Sequence, residues 1–162
     1  MFNLNDNLKN KKILIYGYGK SGQASFKYLK KNNKILIYDD NKKIKKSFIP
    51  FKKIRISEFD YIVLSPGIDV NKCKLKNYIK KNKNKIVTDL DIFHLNNPKN
   101  LKITITGTNG KSTTAKLLFK ILKDQNKDVK LIGNIGIPVL SRNKINPSTI
   151  FVIEASSYQI DY

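Results

Sequence analysis

Leu101 to Thr114, reading LKITITGTNGKSTT, constrains this chain more than any other stretch. Ile103 and Ile105 alternate with Thr104 and Thr106 in a β-rich run that breaks at Gly107. Gly110, Lys111, Ser112 and Thr113 follow, and a helix-forming segment begins. Strand, glycine loop and helix N-terminus in that order cradle a phosphate. Backbone N–H groups converge on the anion, the helix dipole favours negative charge, a lysine reaches the outer phosphates and a hydroxyl can hold Mg2+. The strict G-x-x-x-x-G-K-[ST] form is not met, because Ile105 stands where its first glycine belongs. Gly107 supplies the turn instead, and the loop shortens to G-x-x-G-K-[ST]. The predicted phosphate-binding set is Gly107, Thr108, Asn109, Gly110, Lys111, Ser112 and Thr113.

A second glycine loop lies in the first half. Lys12 to Tyr16 is a short apolar run ending at Gly17, as in a buried parallel strand. Gly17, Gly19 and Gly22 then complete G-x-G-x-x-G, with Lys20 and Ser21 inside it. A helical segment from Gln23 to Asn32 follows, then a second apolar run from Lys34 to Tyr38 that ends in Asp39 and Asp40. Asp39 lies 22 positions after Gly17, where a Rossmann unit places its ribose-binding acid. Tyr61 to Leu64 is another buried-strand run, delivering Ser65, Pro66 and Gly67 to the crevice at the carboxyl ends of the strands. Between them the spacing allows a short strand at Ile54 to Ile56. A surface helix over 71–84 with Leu75, Tyr78 and Ile79 facing inward, a strand at 85–88 and a short helix over 89–95 complete this half. Asn96 to Asn100 is polar with a proline breaker and reads as a linker. The expected organisation is a Rossmann-like domain over 1–95, a linker at 96–100 and the first part of a P-loop domain over 101–162. A nicotinamide-dependent dehydrogenase would use the same first loop, but it has no account of the second.

In the second half, Thr114 to Lys123 carries Ala115, Leu117, Leu118, Ile121 and Leu122 on a broad apolar face, expected to pack on a sheet. Strands are expected at 129–132 and 149–153, the latter delivering Glu154. An acid ending a strand beside a phosphate loop is the natural partner for a nucleotide's Mg2+.

Net charge is +20, from 32 Lys+Arg against 12 Asp+Glu over 162 residues. That balance favours anionic ligands. Lysine, asparagine and isoleucine are abundant even in turns, however, and no aromatic-interleaved basic stripe supports nucleic-acid binding. One cysteine, Cys73, allows no internal disulfide and fits a reducing cytoplasm. His94, the only histidine, has no second metal ligand near it in sequence and reads as a surface or packing residue. No apolar run approaches membrane-spanning length, and the N-terminal dozen residues lack a signal-peptide core. The expectation is a soluble cytoplasmic protein with small-molecule substrates, binding neither nucleic acid nor membrane.

Taken together, GYGKSG (17–22), LSPGI (64–68), TGTNGKST (106–113), GNIGIP (133–138) and EASSYQID (154–161) resemble the Mur ligases of peptidoglycan synthesis, in order and spacing. The loop alone would equally suit folylpolyglutamate synthetases. The Rossmann-like first domain with SPGI, joined to GNIG and the EASSYQ element, narrows the likeness. It is nearest to the branch that adds D-glutamate to UDP-N-acetylmuramoyl-L-alanine.

The resemblance implies an α/β fold, a Rossmann-like doubly wound parallel sheet followed by the first part of a P-loop ATPase domain. It implies an ATP- and Mg2+-dependent acid–amino-acid ligase of cell-wall synthesis, acting as a monomer through an acyl phosphate. Gly17, Gly19, Lys20, Ser21, Gly22, Asp39, Asp40, Ser65, Pro66 and Gly67 would hold the uridine diphosphate part of the substrate. Asp40 departs from the hydroxyl residue common at its position. Lys111 would bind the ATP phosphates, Ser112 and Glu154 the Mg2+, and Asn134 the substrate or a second metal's surroundings. Lys111, Glu154 and Asn134 form the expected catalytic set. Ser156 and Gln159 would line the muramoyl-alanine path, with Tyr158 replacing the more usual Phe. In the family, the remainder of the ATPase domain supplies a carbamylated lysine and a histidine, and a third domain binds the amino acid. The expectation is therefore that these 162 residues alone do not ligate.

Overall fold

The computed structural model describes residues 8–41, 47–141, 145–156 and 159. Two parallel sheets are built in succession. The first has strands β1 (Lys12–Tyr16), β2 (Lys34–Tyr38), β3 (Tyr61–Leu64) and β4 (Ile86–Thr88) in the order β2-β1-β3-β4. All three pairings are parallel, and β1 and β3 at the centre are almost wholly buried. Near-continuous apolar runs such as ILIY and YIVL suit strands covered on both faces. Helix α1 (Lys20–Leu29) crosses from β1 to β2, α2 (Lys76–Lys81) precedes β4, and α3 (Asp89–Asn96) follows it. The second sheet contains β5 (Lys102–Ile105), β6 (Val129–Gly133) and β7 (Ile150–Glu154) in the order β5-β7-β6, with α4 (Lys111–Asp124) between β5 and β6. The α/β parallel-sheet expectation is thus met in both halves.

Three local expectations are corrected. No strand forms at Ile54 to Ile56; 3-10 turns occupy Phe51–Lys53 and Ile56–Glu58. Only Phe48 bridges to Ile37 on the edge of β2, and Pro50, which has no N–H to donate, comes two residues later. Ile54 and Ile56 pack on the core from a loop instead. The helix expected over 71–84 contracts to α2. The Asp69 carboxylate accepts from Asn71 N at 2.9 Å, a local turn that competes with helix, and the Asn82 side chain caps back onto Tyr78 O at 3.1 Å. Leu75 and Ile79 are nonetheless buried, with Tyr78 packed beside them. The apolar face of α4 is only partly covered: Ala115 is buried, whereas Leu117 and Ile121 remain 58% and 50% exposed. Three strands are too narrow for a face that wide. Conversely, α1 begins three residues earlier than expected, inside the glycine motif.

The halves meet over a shared core. Ile13, Ile15, Val63, Val87, Ile92 and Phe93 belong to one buried cluster with Ile132, Val139, Leu140, Phe151 and Ile153. The Phe93 and Phe151 rings stand edge to face with centroids 4.8 Å apart. The joint itself is tied down, because Asn100 Nδ2 donates to Asn146 O at 2.9 Å and to Thr149 O at 3.1 Å. No helix among the described residues is long and apolar enough to cross a membrane.

Candidate functional site

Order β2-β1-β3-β4 places the chain's change of direction between β1 and β3, and a crevice opens there at the strands' carboxyl ends. A cavity of about 880 Å3 occupies it, lined by residues 17–21, 39–41 and 65–69 from the first half and by 133–136, Lys116 and Pro138 from the second. Of the expected sugar-nucleotide residues, Gly17, Gly19, Lys20, Ser21, Asp39, Asp40, Ser65, Pro66, Gly67 and Asn134 all line it.

The first loop is held from several sides. Gly17 N donates to Tyr38 O at 2.8 Å and Gly17 O accepts from Ser65 Oγ at 2.7 Å, so the ends of β1, β2 and β3 are locked together. Gly22 does not line the cavity; it packs against the Gly17 carbonyl and lets α1 approach the strand. Asp39 accepts from Tyr18 N at 2.6 Å and from Asn41 N at 2.9 Å, which rigidifies the loop. Asp40 accepts from Tyr16 Oη at 2.6 Å and Tyr38 Oη at 2.7 Å, with Lys74 Nζ 3.6 Å away. Burial, and then the hydrogen bond to Asp40, raise both phenol pKa values well above the ordinary range. Asp40 therefore stands as an acceptor fixed by two phenols where a hydroxyl is common. Both phenols went unread in the sequence, since each looked like the last residue of a buried strand.

The second loop is built by strand register. Pairing of Ile105 with Glu154 in β5 and β7 brings the carboxylate beside the start of the glycine loop. Gly110, in the left-handed region at φ 76°, closes the loop as the N-cap of α4. Lys111 Nζ folds back onto Gly107 O at 2.6 Å and Thr108 O at 3.2 Å. Ser112 Oγ donates to Glu154 Oε2 at 2.8 Å, and Glu154 is nearly buried. A hydroxyl beside a carboxylate is the hard oxygen set that Mg2+ takes, so these residues fit that ion. Thr108, Asn109 and Thr113 lie exposed along the same loop and the start of α4. Asn134 joins the two sites: its N–H donates to Glu154 O at 3.0 Å and its residue lines the cavity.

Ser156 and Gln159 lie apart from the cavity lining. Gln159 Oε1 accepts from Ser156 N at 3.0 Å and Ser156 Oγ at 3.2 Å. Its Nε2 donates to Asp89 Oδ1 at 3.1 Å. Tyr158 and the rest of the EASSYQID motif after Ser156, Gln159 aside, fall outside the described residues. Asp89, Lys72 and Lys116 were not singled out from sequence. Asp89 opens α3 and looks like an ordinary N-terminal helix acid.

Comparison with known proteins bears on the same elements. Residues 105–162 match the Mur ligase middle domain. A UDP-N-acetylmuramoylalanine--D-glutamate ligase from Francisella philomiragia is 37% identical over 96% of this chain. One of the same name from Francisella tularensis subsp. novicida is 39% identical over 99% of it. Over nearly its whole length the chain is thus similar to ligases of that name. It spans 36% and 37% of the length of those two relatives. The solved structure of a UDP-N-acetylmuramate:L-alanyl-gamma-D-glutamyl-meso-diaminopimelate ligase from Neisseria meningitides aligns with 92% of this chain and 55% of that one at TM-score 0.47 and 17% identity. The similarity to the second relative covers nearly the whole chain, so both glycine loops and the Glu154 strand fall inside it.

Proposed function

We propose that this chain is the sugar-nucleotide-binding and ATP-binding part of a ligase that adds D-glutamate to UDP-N-acetylmuramoyl-L-alanine. The observation that carries the reading is the identity of 37% and 39%, over nearly the whole chain, to relatives of that name. The geometry supports it, because two anion-binding loops lie on either side of Asn134. In this reading residues 1–95 hold the sugar nucleotide, 96–100 form the joint and 101–162 begin the ATP domain.

The reaction transfers the γ-phosphoryl group of ATP to the substrate's terminal carboxylate. The amine of D-glutamate then attacks the acyl phosphate, and amide, ADP and phosphate result. Mg2+, when bound, neutralises phosphate charge and orients the transferring group. The chain's own groups must offset the repulsion between a carboxylate and a polyphosphate. Lys111 would exchange its two loop carbonyls for phosphate oxygens, the loop N–H groups of 107–113 would supply further donors, and Ser112 and Glu154 would hold the ion. Lys20 and the first turn of α1 serve the diphosphate of the sugar nucleotide.

Calorimetry on the chain separates the two sites. UDP-N-acetylmuramoyl-L-alanine is expected to bind with one-to-one stoichiometry, in wild type and in Lys111→Ala alike. MgATP is expected to bind wild type, with Lys111→Ala weakening that binding at least about 100-fold. In the polypeptide that carries this segment, phosphate release from ATP should require both the sugar nucleotide and D-glutamate. No heat with millimolar sugar nucleotide, or release driven equally by another amino acid, overturns the assignment.

A further inference from the structure

Tyr16 and Tyr38 end strands β1 and β2, and the parallel register sets them side by side. Their side chains therefore leave the sheet on one face. The rings stand 5.1 Å apart, tilted by 44°, in the cluster that also holds Phe59, Val70 and Leu75. Tyr16 is 0% exposed and Tyr38 4%. A phenol buried this deeply needs a partner for its hydroxyl, and both take the same one. Tyr16 Oη donates to Asp40 Oδ2 at 2.6 Å, and Tyr38 Oη donates to Asp40 Oδ1 at 2.7 Å. Phenylalanine would fill the same space without the cost of burying a hydroxyl, so core packing does not account for two tyrosines here.

The consequence lies at Asp40. Each of its oxygens gives one acceptor site to a phenol and keeps another. With both oxygens engaged, the carboxylate cannot turn. Lys74 closes a third side: its N–H donates to Tyr16 Oη at 3.3 Å, and its Nζ lies 3.6 Å from Asp40 Oδ1. The Asp40 side chain keeps 27% of its surface exposed, and the residue lines the large cavity. Asp39 is engaged differently. Its oxygens accept from the backbone N–H groups of Tyr18 and Asn41, so it braces the loops themselves. Charge then orients a ligand in the cavity. Two neighbouring carboxylates repel phosphate, whereas Lys20 and the first-turn amides of α1 attract it. A nucleoside diphosphate turns its phosphates toward α1, and its ribose and base, which carry hydroxyl and N–H donors, toward Asp40.

We propose that Tyr16 and Tyr38 are positioning residues for nucleoside recognition, holding the Asp40 carboxylate in the one orientation that accepts from a hydroxyl or N–H of the substrate's uridine. This rests on the function proposed above. Neither phenol belongs to the second glycine loop, and both act through Asp40 alone.

The test titrates wild type, Tyr16→Phe, Tyr38→Phe and the double variant with UDP and, separately, with MgATP. The UDP series is repeated in an Asp40→Ala background. Phenylalanine keeps each ring in place, so these variants should stay folded. Each single substitution is expected to weaken UDP about 3-fold and the pair about 10-fold, with MgATP changed less than about 2-fold. Asp40→Ala should itself weaken UDP about 10-fold, and the tyrosine substitutions should then cost nothing more, because the carboxylate they position is gone. A merely structural role for the phenols would move the urea midpoint and leave these ratios alone. Uridine offers three donors, which 2′-deoxy-UDP, 3′-deoxy-UDP and N3-methyl-UDP remove one at a time. The analogue lacking the donor that meets Asp40 should bind wild type and the double variant alike. Unchanged UDP affinity in a folded double variant, an equal loss for MgATP, full additivity with Asp40→Ala, or an undiminished tyrosine effect with all three analogues overturns the proposal. If Asp40→Ala does not fold, the analogues decide. Failure of wild type to bind UDP-N-acetylmuramoyl-L-alanine would instead overturn the function itself.

Discussion

At position 22 a single methyl group has no room. A Cβ there would lie 2.0 Å from the Gly17 carbonyl oxygen and 2.9 Å from Ser65 Oγ, atoms that themselves hold the three strand ends together. The neighbour is backbone, so it cannot swing away. Gly22→Ala is expected to destabilise the chain by about 1–3 kcal/mol and to weaken sugar-nucleotide binding, read as a lowered urea midpoint and a higher Kd. Binding at wild-type affinity would show that the loop tolerates displacement from β1. Residue identity told much of this in advance: G-x-G-x-x-G marks its third glycine as the point of close helix packing. It told nothing of Tyr16 and Tyr38 clamping Asp40, or of Gln159 reaching Asp89. Those partners are 24, 2 and tens of residues apart, and no local pattern links them.

Helices show where pattern suffices and where it stops. For α3, Thr88 followed three residues on by Asp91 is a start signal, and the structure forms the reciprocal cap. Thr88 is itself buried at the end of β4, so its hydroxyl has no water to fall back on. Thr88→Ala is expected to cost about 1–2 kcal/mol, measurable as a fall in the urea midpoint with unchanged m-value. For α4 the apolar period was legible over 115–122, but the width of the surface meant to cover it was not. Periodicity reports which residues share a face. It does not report how many strands lie beneath. For α2, the turn at Asp69 shortened a segment whose apolar spacing alone suggested a full helix.

Across the whole molecule, the two sheets are coupled through one apolar cluster rather than standing as separate bodies on a string. Phe151 is 1% exposed at the centre of the second sheet, yet its ring stacks edge-on against Phe93 from α3. Phe151→Ala is expected to cost about 3–5 kcal/mol. Six of the eight tyrosines belong to the first half, so tyrosine fluorescence reports chiefly that half and far-ultraviolet dichroism the whole. Both midpoints should fall together in the variant. A tyrosine transition that stays in place would mean the halves unfold independently. The polar linker pattern at 96–100 hid this coupling, because composition describes the chain's surface preference and not the side-chain contacts on either side of it.

Both glycine loops, the buried strand runs before them, the acid 22 positions after Gly17 and the acid ending β7 were determined by sequence alone. Each depends on backbone sterics or on short-range periodicity, which act within a few residues of the pattern. Only the tertiary structure decided that β7 inserts between β5 and β6, so that register lays Glu154 against the loop of Lys111 and Ser112. It alone decided that Asn134 stands between the two sites and that Gln159 reaches Asp89. Such meetings arise when apolar faces on distant segments bury one another, and that burial is what carries polar groups far apart in sequence to hydrogen-bond distance.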